Sequence, residues 1–146
     1  FTVAVPGFGK TENDVMTVPL PRFLSANIRA ATLEKRRAVP LRFDQPYQQD
    51  VRIHLLFPEG STVTDAPLRI ERSTPEAEFV ATGRADGNEV WYVGRLTVLD
   101  PWVDLPELER TLEVLTTAIE SEDTVVKVSL PAEYQAGGEE DEDDEG

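Results

Sequence analysis

Two β-rich runs joined through a glycine constrain the fold of this chain more than any other part of its sequence. The runs read AEFVATGRA and NEVWYVGRLTVL and meet at Asp86-Gly87, a dipeptide favoured in type I′ hairpin loops because both central residues need positive φ. With these two residues as the loop, Glu78 lies opposite Arg95 and Arg84 lies opposite Glu89. Two opposite-charge pairs then support the register. We therefore predict an antiparallel hairpin with this pairing.

Both faces of the predicted hairpin carry apolar side chains. One face holds Phe79, Ala81, Val90, Tyr92, Leu96 and Val98, and the other mixes apolar side chains with charges. An apolar patch left exposed on a protein surface usually marks a contact, so the mixed face is either covered within the domain or an interface. The candidate interface residues are Val80, Trp91 and Val93, together with Trp102 from the following DPWVD segment.

The remaining strand signals predict a mainly β fold. In DVRIHLLF, the alternation of Val51, Ile53, Leu55 and Phe57 with polar residues is typical of a strand with one buried face. STVTD, PLRIER and TVVKVSLP predict further strands, and valines on either side of PGFGKTEND predict two extended segments around a loop. PRFLSANIRAATLEKR is compatible with a short helix or with an irregular crossover. We expect an antiparallel β-sandwich of about seven to nine strands.

One convincing amphipathic helix follows the hairpin. In LPELERTLEVLTTAIESED, a leucine stripe repeats at spacings of three and four and predicts a buried face from about Leu105 to Ser121. Asp104 followed three residues later by Glu107 predicts a capping box, and Pro106 is tolerated in the first turn. This C-terminal helix is expected to pack on the sandwich.

The chain is acidic, and its acidity is concentrated at one end. Its formal net charge is −14, and EEDEDDEG closes the sequence. We predict a β-sandwich domain over residues 1–131 and a disordered acidic tail over residues 132–146. Nucleic-acid binding needs a basic surface, so no nucleic-acid partner is expected. No apolar run reaches the roughly 20 residues that span a bilayer, so no membrane insertion is expected.

The sequence carries no recognisable catalytic or metal-binding motif. Cysteine is absent, which excludes thiol catalysis and thiolate-bound zinc. His54 is the single histidine, and we interpret it as a half-exposed strand residue. No serine lies in a G-x-S-x-G pattern, and PGFGK lacks the spacing of a phosphate loop. We therefore expect no enzyme activity, no cofactor and no metal.

The order of the proline and glycine motifs resembles one bacterial family. The chain is similar to the C-terminal β-domain of proteins that carry a domain of unknown function first, a transglutaminase-like domain in the middle and this module last. The resemblance spans about residues 35 to 130. The matching residues are Arg37, Pro40, Leu41, Phe57, Pro58, Glu59, Gly60, Val63, Pro67, Gly94, Arg95, Leu96, Val98, Leu105, Pro106 and Leu108.

This resemblance implies a non-catalytic accessory domain. In such proteins the Cys-His-Asp chemistry belongs to the middle domain, which would be the partner of this module within the same parent chain. The resemblance also implies a secreted protein with a periplasmic or extracellular setting. The alternative is an independent extracellular binding module, fibronectin-like or carbohydrate-binding, in which Trp91 and Trp102 form an aromatic platform.

Overall fold

The computed structural model describes residues 9–33, 39–67 and 69–134, and ten strands and two α-helices lie within these ranges. In chain order the elements are β1 (Lys10–Glu12), β2 (Val15–Pro19), α1 (Ala26–Leu33), β3 (Leu41–Arg42), β4 (Tyr47–Leu56), β5 (Thr62–Asp65), β6 (Ile70–Ser73), β7 (Ala77–Asp86), β8 (Glu89–Val98), β9 (Trp102–Val103), α2 (Leu105–Ser121) and β10 (Val125–Ser129). A 3-10 turn at Ala132–Tyr134 follows.

The strands form three antiparallel sheets. Sheet I has the order β4-β8-β7-β6, sheet II has the order β1-β2-β10-β5, and β3 pairs with β9 alone. The predicted mainly β, antiparallel fold with a packed C-terminal helix is confirmed. The segment that the sequence left open between a helix and a crossover contains α1, whose Ile28 and Ala31 are buried.

One hydrophobic core joins the two larger sheets to both helices. Phe79, Tyr92 and Leu96 contribute the inner face of sheet I, and Leu115 contributes the buried side of α2. Val126 of sheet II is equally buried in the same cluster. Each such side chain contributes about 1.5–3 kcal/mol relative to an exposed one, so this shared core is what holds the layers together.

The β7–β8 hairpin forms, but its predicted register is wrong. Glu78 lies opposite Thr97 and Arg84 lies opposite Trp91, because the loop consists of Gly87 and Asn88. Gly87 has a φ of +58°, and Asn88 is not among the described residues with positive φ. A type II′ loop needs glycine only at its first position, so this glycine opens the loop instead of closing it.

The predicted assignment of hairpin residues to the inner and outer faces is nevertheless correct. Moving the loop by one residue shifts each cross-strand partner by two, and side chains repeat with a period of two. All six predicted core residues are therefore on the inner face and buried: Phe79, Ala81, Val90, Tyr92, Leu96 and Val98.

The C-terminal helix has the predicted bounds but not the predicted cap. Leu108, Leu112 and Leu115 of the leucine stripe are buried, whereas Leu105 is 46% exposed. Asp104 makes no side-chain hydrogen bond to the first turn. Its carboxylate instead accepts a hydrogen bond from the indole Nε1 of Trp102 at 2.7 Å, so the predicted capping box is wrong.

Two expectations concern the ends of the chain. The predicted PGFGKTEND loop contains β1, which turns into β2 at Asn13, where φ is +57°. The extended segment expected around Val3 and Val5 lies outside the described residues. Most of the predicted tail, residues 135–146, also lies outside them, while Ala132–Tyr134 form the 3-10 turn.

Within the described ranges, no helix has the length and apolarity needed to cross a membrane.

Candidate interaction surface

The face of sheet I that points away from the core is the candidate site, and we call it the outer face. Every second residue of its three long strands lies there, because paired residues of antiparallel strands share a face. The outer face consists of Gln48, Asp50, Arg52, His54 and Leu56 of β4, Glu89, Trp91, Val93, Arg95 and Thr97 of β8, and Glu78, Val80, Thr82, Arg84 and Asp86 of β7.

Trp91 lies on the central strand of this face between two cross-strand neighbours. The ring of His54 stacks on its indole, with centroids 4.9 Å apart and planes 8° from parallel. The guanidinium carbon of Arg84 lies 5.7 Å from the Trp91 ring centroid. His54 and Arg84 come from strands on opposite sides of β8, so the tryptophan is held between them. The row His54–Trp91–Arg84 is thus a cation–aromatic stack with a fixed indole.

His54 has a carboxylate partner but no catalytic arrangement among the described residues. Its Nε2 lies 2.8 Å from Oε2 of Glu89, and its side chain is 51% exposed. The contacts of its ring are therefore a carboxylate and an indole, whereas nucleophilic catalysis needs a hydroxyl or thiol beside the base. The expectation of a half-exposed strand histidine agrees with this placement.

A second polar group crosses the face on the far side of Val93. Arg95 Nε donates to Asp50 Oδ1 at 2.5 Å, and Gln48 Nε2 donates to Asp50 Oδ2 at 2.7 Å. The hydrogen bond from Arg95 lowers the pKa of the Asp50 carboxyl, and the bond from Gln48 acts in the same direction. Asp50 therefore stays ionised over a wider pH range than an isolated aspartate.

The structure brings together three of the four predicted interface residues. Trp91 and Val93 are adjacent on the outer side of β8, and Val80 lies diagonally across on β7. Val93 is 46% exposed, whereas Val80 and Trp91 are partly buried. Trp102 lies elsewhere: it belongs to β9, pairs with Arg42 of β3, and its indole is tied to Asp104.

Sequence reasoning missed one buried charged residue, Glu122. One of its carboxylate oxygens accepts hydrogen bonds from the backbone N–H groups of Phe23 and Leu24, both at 2.6 Å, and the other pairs with Arg29. The signal was present, since Glu122 follows Ile119 by three residues and so continues the predicted stripe. We interpret this cluster as an internal anchor between the two helices.

An acidic groove of about 430 Å³ runs along α2 on the other side of the domain. Glu109, Glu113 and Glu120 line it together with Arg72 of β6 and Thr32 of α1. No group of three or more potential metal ligands converges within the described ranges. Glu109, Glu113 and Glu120 are exposed to solvent.

Comparison with known proteins gives one informative structural match. No protein-family model and no curated protein matches the chain at a significant level. A solved structure with a similar fold is that of a “putative protease” from Parabacteroides distasonis, with a TM-score of 0.67 and 14% identity over 80% of this chain. The chain spans 23% of the length of that protein. At this identity the likeness shows the fold alone.

Proposed function

We propose that this chain is a non-catalytic accessory domain of a multidomain, transglutaminase-like protein, and that its outer face contacts the enzyme domain of the same parent chain. The observation that carries the proposal is the arrangement of the outer face. Val80, Trp91 and Val93 form an apolar strip in which Val93 is exposed and the other two are partly buried. Arg84 and Arg95 lie on the rows on either side of Val93. Apolar residues framed by polar ones are typical of protein contact surfaces.

The size relationship in the structural match supports a role as one module among several. The chain corresponds to less than a quarter of the matched protein, so a domain of this shape exists inside a longer chain. The resemblance of the proline and glycine motifs is the support for a transglutaminase-like parent and for a periplasmic or extracellular setting.

The alternative, an aromatic platform for carbohydrate, is less well supported by the same geometry. A sugar ring packs on an open face of an indole, whereas Trp91 is held between His54 and Arg84. Trp102, the second half of the expected platform, lies in a different sheet with its indole N–H bonded to Asp104. We therefore favour a protein partner over a carbohydrate.

Binding measured between separate domains tests the proposal. The chain and the transglutaminase-like domain of its parent are produced as two polypeptides, and their affinity is measured by calorimetry. Val93→Asp places a charge at the exposed residue of the apolar strip and is expected to weaken binding about tenfold or more, because an unpaired charge would be desolvated at the interface.

Leu99→Asp is the matched control for this experiment. Leu99 is 50% exposed, close to the 46% of Val93, but it lies beyond the end of β8. The control is expected to bind like the unmodified chain. Equal loss in both variants, or no binding between the unmodified domains, contradicts the proposed contact.

A further inference from the structure

The free edge of β4 is the longest unpaired strand edge among the described residues. β4 ends sheet I and pairs only with β8, over ten residues without a register shift and without proline. The other sheet-end strands described, β1, β3, β5, β6 and β9, have two to four residues each. Proteins usually shorten, bend or cover such edges, because an open edge pairs readily with another strand.

The backbone hydrogen bonds show which residues of β4 face the free edge. The N–H of Phe57, next to the end of β4, bonds to the carbonyl of Asn88 at 3.0 Å and continues the β4–β8 ladder. Backbone groups alternate along an antiparallel strand, so odd-numbered residues of β4 point to β8. The N–H and C=O groups of Gln48, Asp50, Arg52, His54 and Leu56 therefore point outward.

The charges along this edge complement the charges of a second, antiparallel copy of the same edge. Asp50 and Arg52 flank Val51, and Arg52 makes no hydrogen bond or ion pair within the described ranges. When two copies of β4 run antiparallel with Val51 opposite Val51, each Asp50 faces Arg52 of the other copy. Centring the pair on Arg52 or on Asp50 instead places like charges opposite each other. Cross-strand pairs of opposite charge stabilise a sheet and like charges destabilise it.

We propose that two copies of this domain associate through antiparallel pairing of their β4 edges, centred on Val51, to form a continuous sheet across the dimer. In this arrangement the outward backbone groups of β4 become paired, and the outer faces of both copies lie on the same side. Asp50 then lies between Arg95 of its own chain and Arg52 of the second copy. The contact joins two accessory domains and leaves Val93 of the apolar strip accessible.

Charge exchange tests the partner and the register together. Arg52→Asp and Asp50→Arg each place like charges opposite each other in their own dimers and are expected to weaken self-association about tenfold or more. An equimolar mixture of the two variants restores both opposite-charge pairs and is expected to dimerise like the unmodified chain. Sedimentation equilibrium measures each state, and melting curves confirm that the variants fold. Arg69→Asp, the same charge change near the opposite edge of sheet I, is the control.

Disulfide trapping gives an independent measurement. The chain has no cysteine, so an introduced thiol is the sole one. Val51 would lie opposite itself in a non-hydrogen-bonded pair, where Cα atoms are about 4.5 Å apart and a disulfide can form. We expect Val51→Cys to give covalent dimers on oxidation and Ile53→Cys to give none. A monomeric unmodified chain, a mixture that does not recover association, or preferential trapping through Ile53→Cys would overturn the proposal.

Discussion

Arg29 of α1 and Glu122, which follows α2, form an ion pair in which the carboxylate side chain is only 1% exposed. The same carboxylate accepts hydrogen bonds from the backbone N–H groups of Phe23 and Leu24, just before α1. One side chain therefore fixes the position of the short helix α1 against the long helix α2.

Removing this carboxylate should destabilise the domain strongly. Glu122→Ala leaves two buried N–H groups and the Arg29 guanidinium without their acceptor, so we expect a loss of about 3 kcal/mol or more. Glu120→Ala, two residues earlier on the exposed side of α2, should cost less than about 0.5 kcal/mol. Urea unfolding of both variants measures the difference, and equal losses would contradict the role of Glu122 as an anchor.

Truncations on the buried face of α2 should destabilise the domain by different amounts. Leu115 is completely buried, whereas Leu112 lies near the surface and lines the acidic groove. Truncation to alanine should cost about 3–5 kcal/mol at Leu115 and about 2–3 kcal/mol at Leu112, because neighbouring groups can relax toward the groove. Glu113→Ala should change the free energy of unfolding by less than about 0.5 kcal/mol. A reversed order in thermal or denaturant unfolding would show that the helix is rotated.

Two glycines should respond differently to the same substitution. A Cβ on Gly83 would lie 2.1 Å from the carbonyl oxygen of Pro67, so Gly83→Ala requires the backbone itself to move. A Cβ on Gly87 meets nothing within 4 Å, and only its φ of +58° opposes alanine, at a cost of about 1–2 kcal/mol. We expect Gly83→Ala to lower the melting temperature clearly more than Gly87→Ala. The opposite result would mean that the segment at Pro67 does not lie against Gly83.

Burial raises the pKa of Tyr92 above its ordinary value of 10.0, and the charge of Glu122 adds to the shift, while the hydrogen bond to Ser121 opposes it. A raised pKa in the folded state means that this tyrosine contributes stability below about pH 10, and that the contribution is lost as the pH rises through its folded-state pKa. Alkaline unfolding should therefore accompany its ionisation. The chain has three tyrosines, so Tyr92→Phe should remove the contribution of one tyrosine to the phenolate absorbance, at the pH at which the chain unfolds. An unchanged titration would refute the assignment.

The isolated chain should have neither peptidase nor transamidase activity, because the partners of His54 are a carboxylate and an indole. His54→Ala should leave the assay background unchanged while slightly reducing stability through loss of the stack on Trp91. Turnover that disappears in this variant would refute the accessory role.

Sequence patterns predicted the faces of the elements better than their partners. The alternation in β4 and the stripe in α2 depend on which side of an element meets the core, and burial imposes that choice locally. The partner of each strand residue depends on loop geometry. Because Gly87 was assigned to the second loop position instead of the first, every predicted pair in the β7–β8 hairpin was wrong. The predicted and observed partners differ by two residues, an even number, so the prediction of the buried face was still correct.

The candidate site was predictable only in part for the same reason. Val80, Trp91 and Val93 share a face because they lie on two strands joined by one short loop. Trp102 is close to them in sequence, but a turn at Asp100 carries it into another sheet. Predicting the self-complementary edge of β4 requires knowledge of the sheet order. The sequence around Asp50 and Arg52 does not distinguish a central strand from an edge strand, and only the sheet order places β4 at an edge.

The pairing of β2 with β10 has a consequence for the synthesis of this protein. Val15 and its partner Ser129 are separated by 114 positions. At about 5–20 residues per second, a ribosome needs roughly 6–23 s to deliver the second strand after the first. The strands of sheet I, which are near neighbours in sequence, can pair during that interval. Until β10 leaves the exit tunnel, β2 lacks its partner strand, so the emergence of β10 sets the moment at which sheet II can close.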